Sequence, residues 1–120
     1  MPEDLQQQLA ESIGPRRAYG KHRGFVVDNA DPEKLARLKL RVPSLLGDAE
    51  SGWALPCLPC GGLANQGFFA VPAVGAQVWV EFEGGNLDFP IWVGAFWQQS
   101  GDAPEEAQDP PTTQVLRTGK

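Results

Sequence analysis

The sequence is poor in the residues that build disulfide frameworks, metal sites and membrane spans. Its 120 residues include two cysteines and one histidine, and no apolar run reaches the ~18 residues of a membrane helix. Two cysteines form no disulfide framework. A zinc site needs four ligands, of which His22 would supply only one beyond the cysteines. We therefore expect no metal, no cofactor and no stable membrane anchor.

Basic residues are also scarce. Ten Lys and Arg against fifteen Asp and Glu give a net charge of −5 and a pI of about 4.7. Domains that bind nucleic acid through its phosphates usually carry a basic face, so we expect no nucleic-acid binding. Residues 1–14 contain no basic region followed by an apolar run, which predicts no signal peptide and synthesis in the cytoplasm.

No catalytic arrangement emerges from the spacing of the polar residues. His22 lies between Lys21 and Arg23, a context typical of a surface residue. The serines lie in no nucleophile-elbow context, and the acids occur mainly in turns and near the C-terminus. We therefore expect that the protein is not an enzyme.

The cysteines lie in the motif CLPC at residues 57–60. This spacing occurs in dithiol redox centres and in half of a zinc site. Here Pro56 and Pro59 interleave the cysteines in a loop, whereas a thioredoxin-like motif opens a helix of a βαβ unit. Structural or buried thiols are favoured, a local disulfide is the second interpretation, and a metal or redox function is the third.

Residues 1–18 form a separate unit. Leu5, Leu9 and Ile13 recur at i, i+4 and i+8, which places them on one face of a short helix that Gly14 and Pro15 end. This unit is either a frayed end, a helix docked on its own domain, or a docking arm for another protein.

From residue 19 onward the hydrophobic period changes to two, which predicts short strands. The pattern is clearest at 36–42 and 77–83, and weaker at 90–97, where apolar residues occupy both faces. The residues predicted to point inward in the last two strands are Val78, Val80, Phe82, Ile91 and Val93. Frequent turn signals, from 14 glycines and 11 prolines, favour a small barrel over helices.

The predicted fold is all-β: a small five-stranded antiparallel OB-type barrel over residues 19–98, with a short N-terminal helix or arm and an extended C-terminal tail. Residues 44–75 are expected to pack over one end of the barrel and to carry short strands. Residues 99–111 are predicted to form an acidic, proline-rich linker, and residues 112–120 the start of a C-terminal strand.

Arg37, Lys39 and Arg41 alternate along one predicted strand, which is the best sequence argument for an oligonucleotide-binding face. Glu81 and Glu83 point outward on another strand. We expect cross-strand ion pairs between the two sets, which would neutralise the basic stripe.

Three aromatic side chains are predicted on the outside of the barrel: Trp79, Trp92 and Phe96. Exposed together, they would form the kind of apolar patch that marks an interface. These residues, with Leu5, Leu9 and Ile13 of the N-terminal unit, are the candidate subunit or partner interface.

Several segments together resemble the OB-fold domain of phage baseplate assembly protein V and the VgrG-like spike family. They are NADPEKLARLKLRVPSLLGD, SGWALPCLPCGG and FFAVPAVGAQVWVEFEGGNLDFPIWVGAFW, in order between about residues 20 and 98. Two positions depart from the family pattern. Ala36 stands where the family commonly has glycine, which predicts a less sharp bend. Asn86-Leu87 replaces the usual Asp-Pro, which should alter only turn detail.

The resemblance implies a structural, non-enzymatic hub or spike component of a contractile phage tail or related injection system. It implies a homotrimer that joins the hub to the spike needle, with hub and spike or tube proteins as partners. The resemblance also implies a location at the virion baseplate or injection-particle tip, with assembly in the bacterial cytoplasm. The alternative function is an OB-fold module that binds oligonucleotides or glycans. Phage, tailocin and secretion system are not distinguished by the sequence.

Overall fold

The computed structural model describes residues 16–107 and 112–119. Five strands make up most of its regular structure, with one short helix, α1 (Pro43–Leu46), after the second strand. The strands are β1 (His22–Asp28), β2 (Lys39–Arg41), β3 (Leu55–Pro56), β4 (Gln77–Phe82) and β5 (Pro90–Ala95), and two 3₁₀ turns span Glu83–Gly85 and Glu105–Ala107. The all-β prediction is confirmed.

The five strands form one curled sheet in the order β2-β1-β4-β5-β3. Neighbouring strands are antiparallel except β3 and β5, which run parallel with Leu55 opposite Ile91. The prediction of a purely antiparallel barrel was therefore wrong at this pair. The chain leaves β2, turns through α1 and crosses to the far edge of the sheet, so β3 arrives beside β5 in the same direction.

Residues 50–56, here called the closing segment, join the two edges of the sheet. On one side Leu38 and Ala54 exchange both backbone hydrogen bonds, at 3.1 and 2.7 Å. The Leu40 N–H also donates to the Ser51 hydroxyl at 3.0 Å, and the Ser51 N–H donates back to the Leu40 carbonyl at 2.7 Å. On the other side β3 pairs with β5. The sheet is thereby curled into the OB-type barrel that the sequence predicted.

The core follows the period-two pattern where one face of the strand is polar. Val78 and Val80 are fully buried and Phe82 is 6% exposed, while Gln77 and Glu81 on the same strand are partly exposed. The predicted inward residues of β4 are confirmed. The buried apolar residues of the described chain are Ala18, Val26, Ala36, Leu38, Leu40, Val42, Ala54, Val78, Val80, Phe82 and Trp92.

The side chains of β5 that point into the core are not the ones predicted. Ile91 and Val93 are only half-buried, whereas Trp92 is 5% exposed and lies in the core. The pairing register explains the correction, because Trp92 lies opposite the inward-facing Val80 and opposed residues share a face of a sheet. The register then shifts toward Ala95, with Gly94 at φ +133°, a conformation that favours glycine.

The buried indole also holds the chain just before β2. Trp92 Nε1–H donates to the Ala36 carbonyl at 2.9 Å. Ala36 itself adopts φ +61°, the left-handed conformation that costs a non-glycine residue roughly 1–2 kcal/mol. The left-handed conformation is therefore adopted here by alanine, and the less sharp bend stays a prediction. Packing and the tryptophan hydrogen bond hold it in place.

The C-terminal residues add little regular structure. Residues 112–119 form no strand, and the predicted linker contains the 3₁₀ turn Glu105–Ala107. Arg117 reaches back to Glu106, with Nη1 to Oε2 at 3.2 Å between two exposed side chains. Within the described ranges, no helix is long and apolar enough to cross a membrane.

Candidate interaction surfaces

Two of the three predicted interface aromatics meet on the outside of the barrel. The rings of Trp79 and Phe96 lie 4.5 Å apart between centroids, and both side chains are half-buried. The Arg23 guanidinium lies 5.6 Å from the Trp79 ring and 5.4 Å from the Phe96 ring. We call these three residues the Trp79 cluster. Stacked aromatics beside an arginine are the side chains most enriched at protein interfaces.

Trp92, the third predicted interface residue, is not available to a partner. Its side chain is in the core, and its indole N–H donates to the Ala36 carbonyl. It is therefore removed from the candidate interface. Leu5, Leu9 and Ile13 lie outside the described residues.

The residues of the basic stripe contact other groups than those predicted, and one of them, Arg37, forms an ion pair. Strand β1 lies between β2 and β4, so Glu81 and Glu83 do not face the stripe, and the predicted ion pairs were wrong. Glu81 instead pairs with Lys21 at 3.1 Å. The sequence pattern did not show the strand order, which places β1 between β2 and β4.

Arg41 contacts a backbone carbonyl, and the other two cations share one aromatic ring. Arg41 Nη1 donates to the Asp48 carbonyl at 2.7 Å. Lys39 Nζ and the Arg37 guanidinium lie 5.1 and 5.6 Å from the centre of the half-buried Trp53 ring. The absence of nucleic-acid binding stays a prediction, and the pairing of Arg37 with Asp31 favours it because it removes one of the charges that phosphates would need.

Arg37 also forms the tightest ion pair of the described chain, with Asp31. The guanidinium donates twice, from Nη2 to Oδ1 at 2.7 Å and from Nε to Oδ2 at 2.9 Å. The Asp31 carboxylate accepts further hydrogen bonds from the backbone N–H groups of Glu33, Leu35 and Arg37. The Arg37 guanidinium, assisted by these backbone donors and opposed by burial, holds the pKa of Asp31 well below its usual range.

This pair predicts a specific acid sensitivity. Because the folded pKa of Asp31 is depressed, its stabilisation is complete above the unfolded pKa of about 3.9 and is lost as pH falls through that value toward the folded pKa. We expect Asp31→Asn to lower the urea midpoint at neutral pH. The difference from wild type should shrink to less than half at about pH 2.

Asp28→Asn is the matched control for Asp31→Asn. Asp28 Oδ1 accepts the backbone N–H of Ala30 at 2.9 Å, so it supports a similar local turn without an arginine. Its variant should show a smaller difference from wild type at neutral pH. Equal and pH-independent losses in the two variants would show that the Arg37 pair does not carry the effect.

A second apolar surface surrounds the loop that follows β3. Leu35 and Leu55 form one wall of an open groove, residues 58–69 form most of the rest, and Lys34, Ala36 and Pro56 also line it. We call this the loop groove. Leu58 and Val71 pack against the core, as predicted for this segment, but every residue from 61 to 70 is exposed, including Phe68 and Phe69. The loop therefore covers the barrel end only at its base.

The charge pattern could have revealed this surface from the sequence. Residues 51–80 contain no Asp, Glu, Lys, Arg or His, although charged residues make up 21% of the chain. An exposed loop without charge is unusual for a solvated surface and typical of the centre of an interface.

The polar residues with potential chemistry are dispersed. His22 Nε2 lies 2.9 Å from the Tyr19 carbonyl, and its ring contacts Phe82 at 6.2 Å between centroids. Cys57 and Cys60 are exposed free thiols, which corrects the preference for buried ones. Among the described residues no group of three His, Cys, Asp or Glu side chains could hold a metal ion.

Comparison with known proteins gives the family. Residues 22–97, more than half of the chain and all five strands, match the family described as the type VI secretion system/phage-baseplate injector OB domain. No curated protein matches the chain. The curled five-stranded sheet closed by residues 50–56 agrees with an OB-type domain. The chain therefore belongs to the family of OB domains found in type VI secretion system and phage-baseplate injectors.

Proposed function

We propose that the protein is a non-enzymatic structural component of the baseplate hub or spike in a contractile phage tail or related injection system. It joins the hub to the spike needle and works as a homotrimer beside hub and spike or tube proteins. The family assignment supports the baseplate role. The observation that supports the assembly is the Trp79 cluster, in which Arg23 lies beside two half-buried aromatic rings on the outer face of the barrel.

The physical argument concerns what covers this aromatic pair. The Trp79 and Phe96 rings are packed together and held by Arg23, so the patch is preformed and loses little side-chain entropy when a partner covers it. Tryptophan and arginine are the residues that most often dominate binding energy at interfaces. In a cyclic trimer, each of the three subunits would bury this surface against a neighbour.

The two ends of the chain would support the same assembly. Leu5, Leu9 and Ile13 are proposed as a docking face for a neighbouring protein. Residues 112–120 are proposed as the first strand of the needle. Within this segment Val115 and Leu116 are 40% and 86% exposed, so their side chains are available to a neighbouring strand.

The assembly proposal predicts a monomer–trimer equilibrium for the isolated chain. In sedimentation velocity over a range of concentrations, we expect wild type to shift toward trimer as concentration rises. Trp79→Ala should weaken association at least tenfold, because it removes the larger ring of the stacked pair. The matched control is Phe89→Ala, since Phe89 is 58% exposed at the turn between β4 and β5.

Three results would count against this assembly. A stable dimer would give the wrong symmetry. A monomer at every concentration would remove the homotrimer from the proposed function. Trimerisation that is equally strong in wild type, Trp79→Ala and Phe89→Ala would show that the Trp79 cluster is not the contact.

A further inference from the structure

Two reactive side chains of the described chain, Cys57 and Cys60, have no role in the proposed function. Cys57 follows β3 directly, and Cys60 stands where the exposed loop of residues 61–70 begins. Both cysteines are exposed and both are free thiols. Their C-x-x-C spacing is the one found in protein dithiols that are reversibly oxidised.

The backbone around the pair is anchored on both outer sides. The Cys57 N–H donates to the Trp92 carbonyl of β5 at 2.9 Å, which fixes the start of the motif on the sheet. The Cys60 carbonyl accepts the Phe68 N–H at 3.2 Å, which fixes the end of the motif at the base of the loop. Leu58, between the cysteines, packs against the core. The motif is therefore held at its ends, with both cysteines open to solvent.

Between these anchors the backbone can tighten. Three peptide units connect the Cα atoms of Cys57 and Cys60, and none of them takes part in a backbone–backbone hydrogen bond of the described chain. Fully extended, three residue steps span roughly 10–11 Å, whereas a disulfide joins Cα atoms about 4.4–6.8 Å apart. The chain already bends at Pro59 and Cys60. Closing the pair needs a tighter turn here, and neither anchoring hydrogen bond has to break.

The surroundings of the pair favour reaction with a disulfide over binding of a metal. Among the described residues, no group of three His, Cys, Asp or Glu side chains includes the two cysteines. Residues 51–80 contain no acidic side chain that would repel an approaching anion. Lys34 lines the same groove as Cys60, which favours the approach of an anionic disulfide such as that of glutathione.

We propose that Cys57 and Cys60 form a site of reversible disulfide exchange with low-molecular-weight disulfides such as oxidised glutathione. The product is a local Cys57–Cys60 disulfide at the base of the exposed loop. This inference does not depend on the proposed assembly, because neither cysteine belongs to the Trp79 cluster.

The exchange takes place in two steps. The thiolate of one cysteine attacks a sulfur of the small disulfide, whose S–S bond breaks, so a mixed disulfide forms and one thiol leaves. The thiolate of the other cysteine then attacks the protein sulfur of this mixed disulfide and releases the second thiol. The two protein thiols lose two electrons and two protons, and the small disulfide gains both as it becomes two thiols.

The test follows the thiols of the full-length protein in glutathione buffers. Reduced wild type, Cys57→Ser and Cys60→Ser are equilibrated without oxygen at one ratio of reduced to oxidised glutathione, at total concentrations about tenfold apart. The ratio is chosen so that the single-cysteine variants are partly modified. Free thiols are then blocked with N-ethylmaleimide, and intact masses are measured. Circular dichroism first establishes that each variant is folded, as expected for substitutions at exposed positions.

Mass action distinguishes a local disulfide from two independent thiols. A local disulfide releases two molecules of reduced glutathione for each oxidised one consumed. Its ratio of oxidised to reduced protein should therefore rise about tenfold when the buffer is diluted about tenfold at constant composition. A mixed disulfide releases one molecule for each one consumed, so its share should not change. We expect the first behaviour from wild type and the second from each single-cysteine variant.

Three results would overturn the proposal. Wild type that collects glutathione adducts without any dependence on dilution would show that the two sulfurs do not meet. Wild type that stays reduced while the variants are modified would show that the motif resists oxidation. Disulfide-linked dimers in place of the local disulfide would show that the partner thiol comes from another chain. Failure of the proposed homotrimer in sedimentation velocity would leave this site unaffected.

Discussion

Trp92→Ala is expected to lower the free energy of unfolding by about 3–5 kcal/mol, the usual range for deleting a large buried aromatic side chain. Trp92 is 5% exposed and faces Val80 across the sheet. Its removal would leave a cavity and would also leave the Ala36 carbonyl without its 2.9 Å hydrogen bond from the indole. Urea denaturation followed by circular dichroism measures the loss.

Two further variants divide this effect into its parts. Trp92→Phe keeps most of the apolar volume but removes the donor to Ala36, so an intermediate loss is expected. Trp97→Ala is the matched control, because Trp97 is 65% exposed and its replacement should change stability by less than about 0.5 kcal/mol. A loss below about 1 kcal/mol in Trp92→Ala would show that the indole is not in the core.

Phe82→Ala is expected to destabilise the protein by a similar amount, about 3–5 kcal/mol. Phe82 is 6% exposed, ends β4 opposite Pro90, and contacts the His22 ring. The matched control is Phe89→Ala, a substitution of the same residue type at a site that is 58% exposed. Urea midpoints of the two variants should therefore differ clearly, and equal midpoints would contradict the assigned core.

These two residues also show how far the sequence could predict the fold. In β4 the polar residues Gln77 and Glu81 mark the outer face, so the inward direction of Phe82 followed from simple alternation. In β5 both faces are apolar, and alternation alone cannot choose between them. Only the register, which places Trp92 opposite Val80, decides the question.

The partners of the basic stripe could not be predicted from the sequence, for a different reason. Which strand lies beside which is a property of topology, and β1 separates β2 from β4. The real partner of Arg37 is Asp31, only six positions away, in the Asn-Ala-Asp-Pro turn. Asn, Asp and Pro in this order favour a turn, but nothing in the pattern indicates that its carboxylate accepts an arginine.

The candidate surfaces were predicted in part. The outward position of Trp79 followed from the alternation in β4, and its ring does meet Phe96. The loop groove was missed because apolar residues in a long connection were expected to pack on their own barrel. Hydrophobicity shows that such residues need cover, but it does not show whether the cover comes from the same chain or from another one.

The closing segment has a consequence for the order of folding. It follows β2 after a short turn, so β1, β2 and residues 50–56 can associate through local contacts, while β4 and β5 form a second local hairpin. The two halves then meet along two seams, β1 with β4 and β3 with β5, and only this docking must overcome the entropy of closing the long loop. Cutting the chain within residues 61–70 and joining its ends elsewhere would therefore leave both halves able to fold and dock. The permuted barrel would form more slowly, since its halves would be joined through residues 96–120 and 1–21, a longer connection than the loop between β3 and β4.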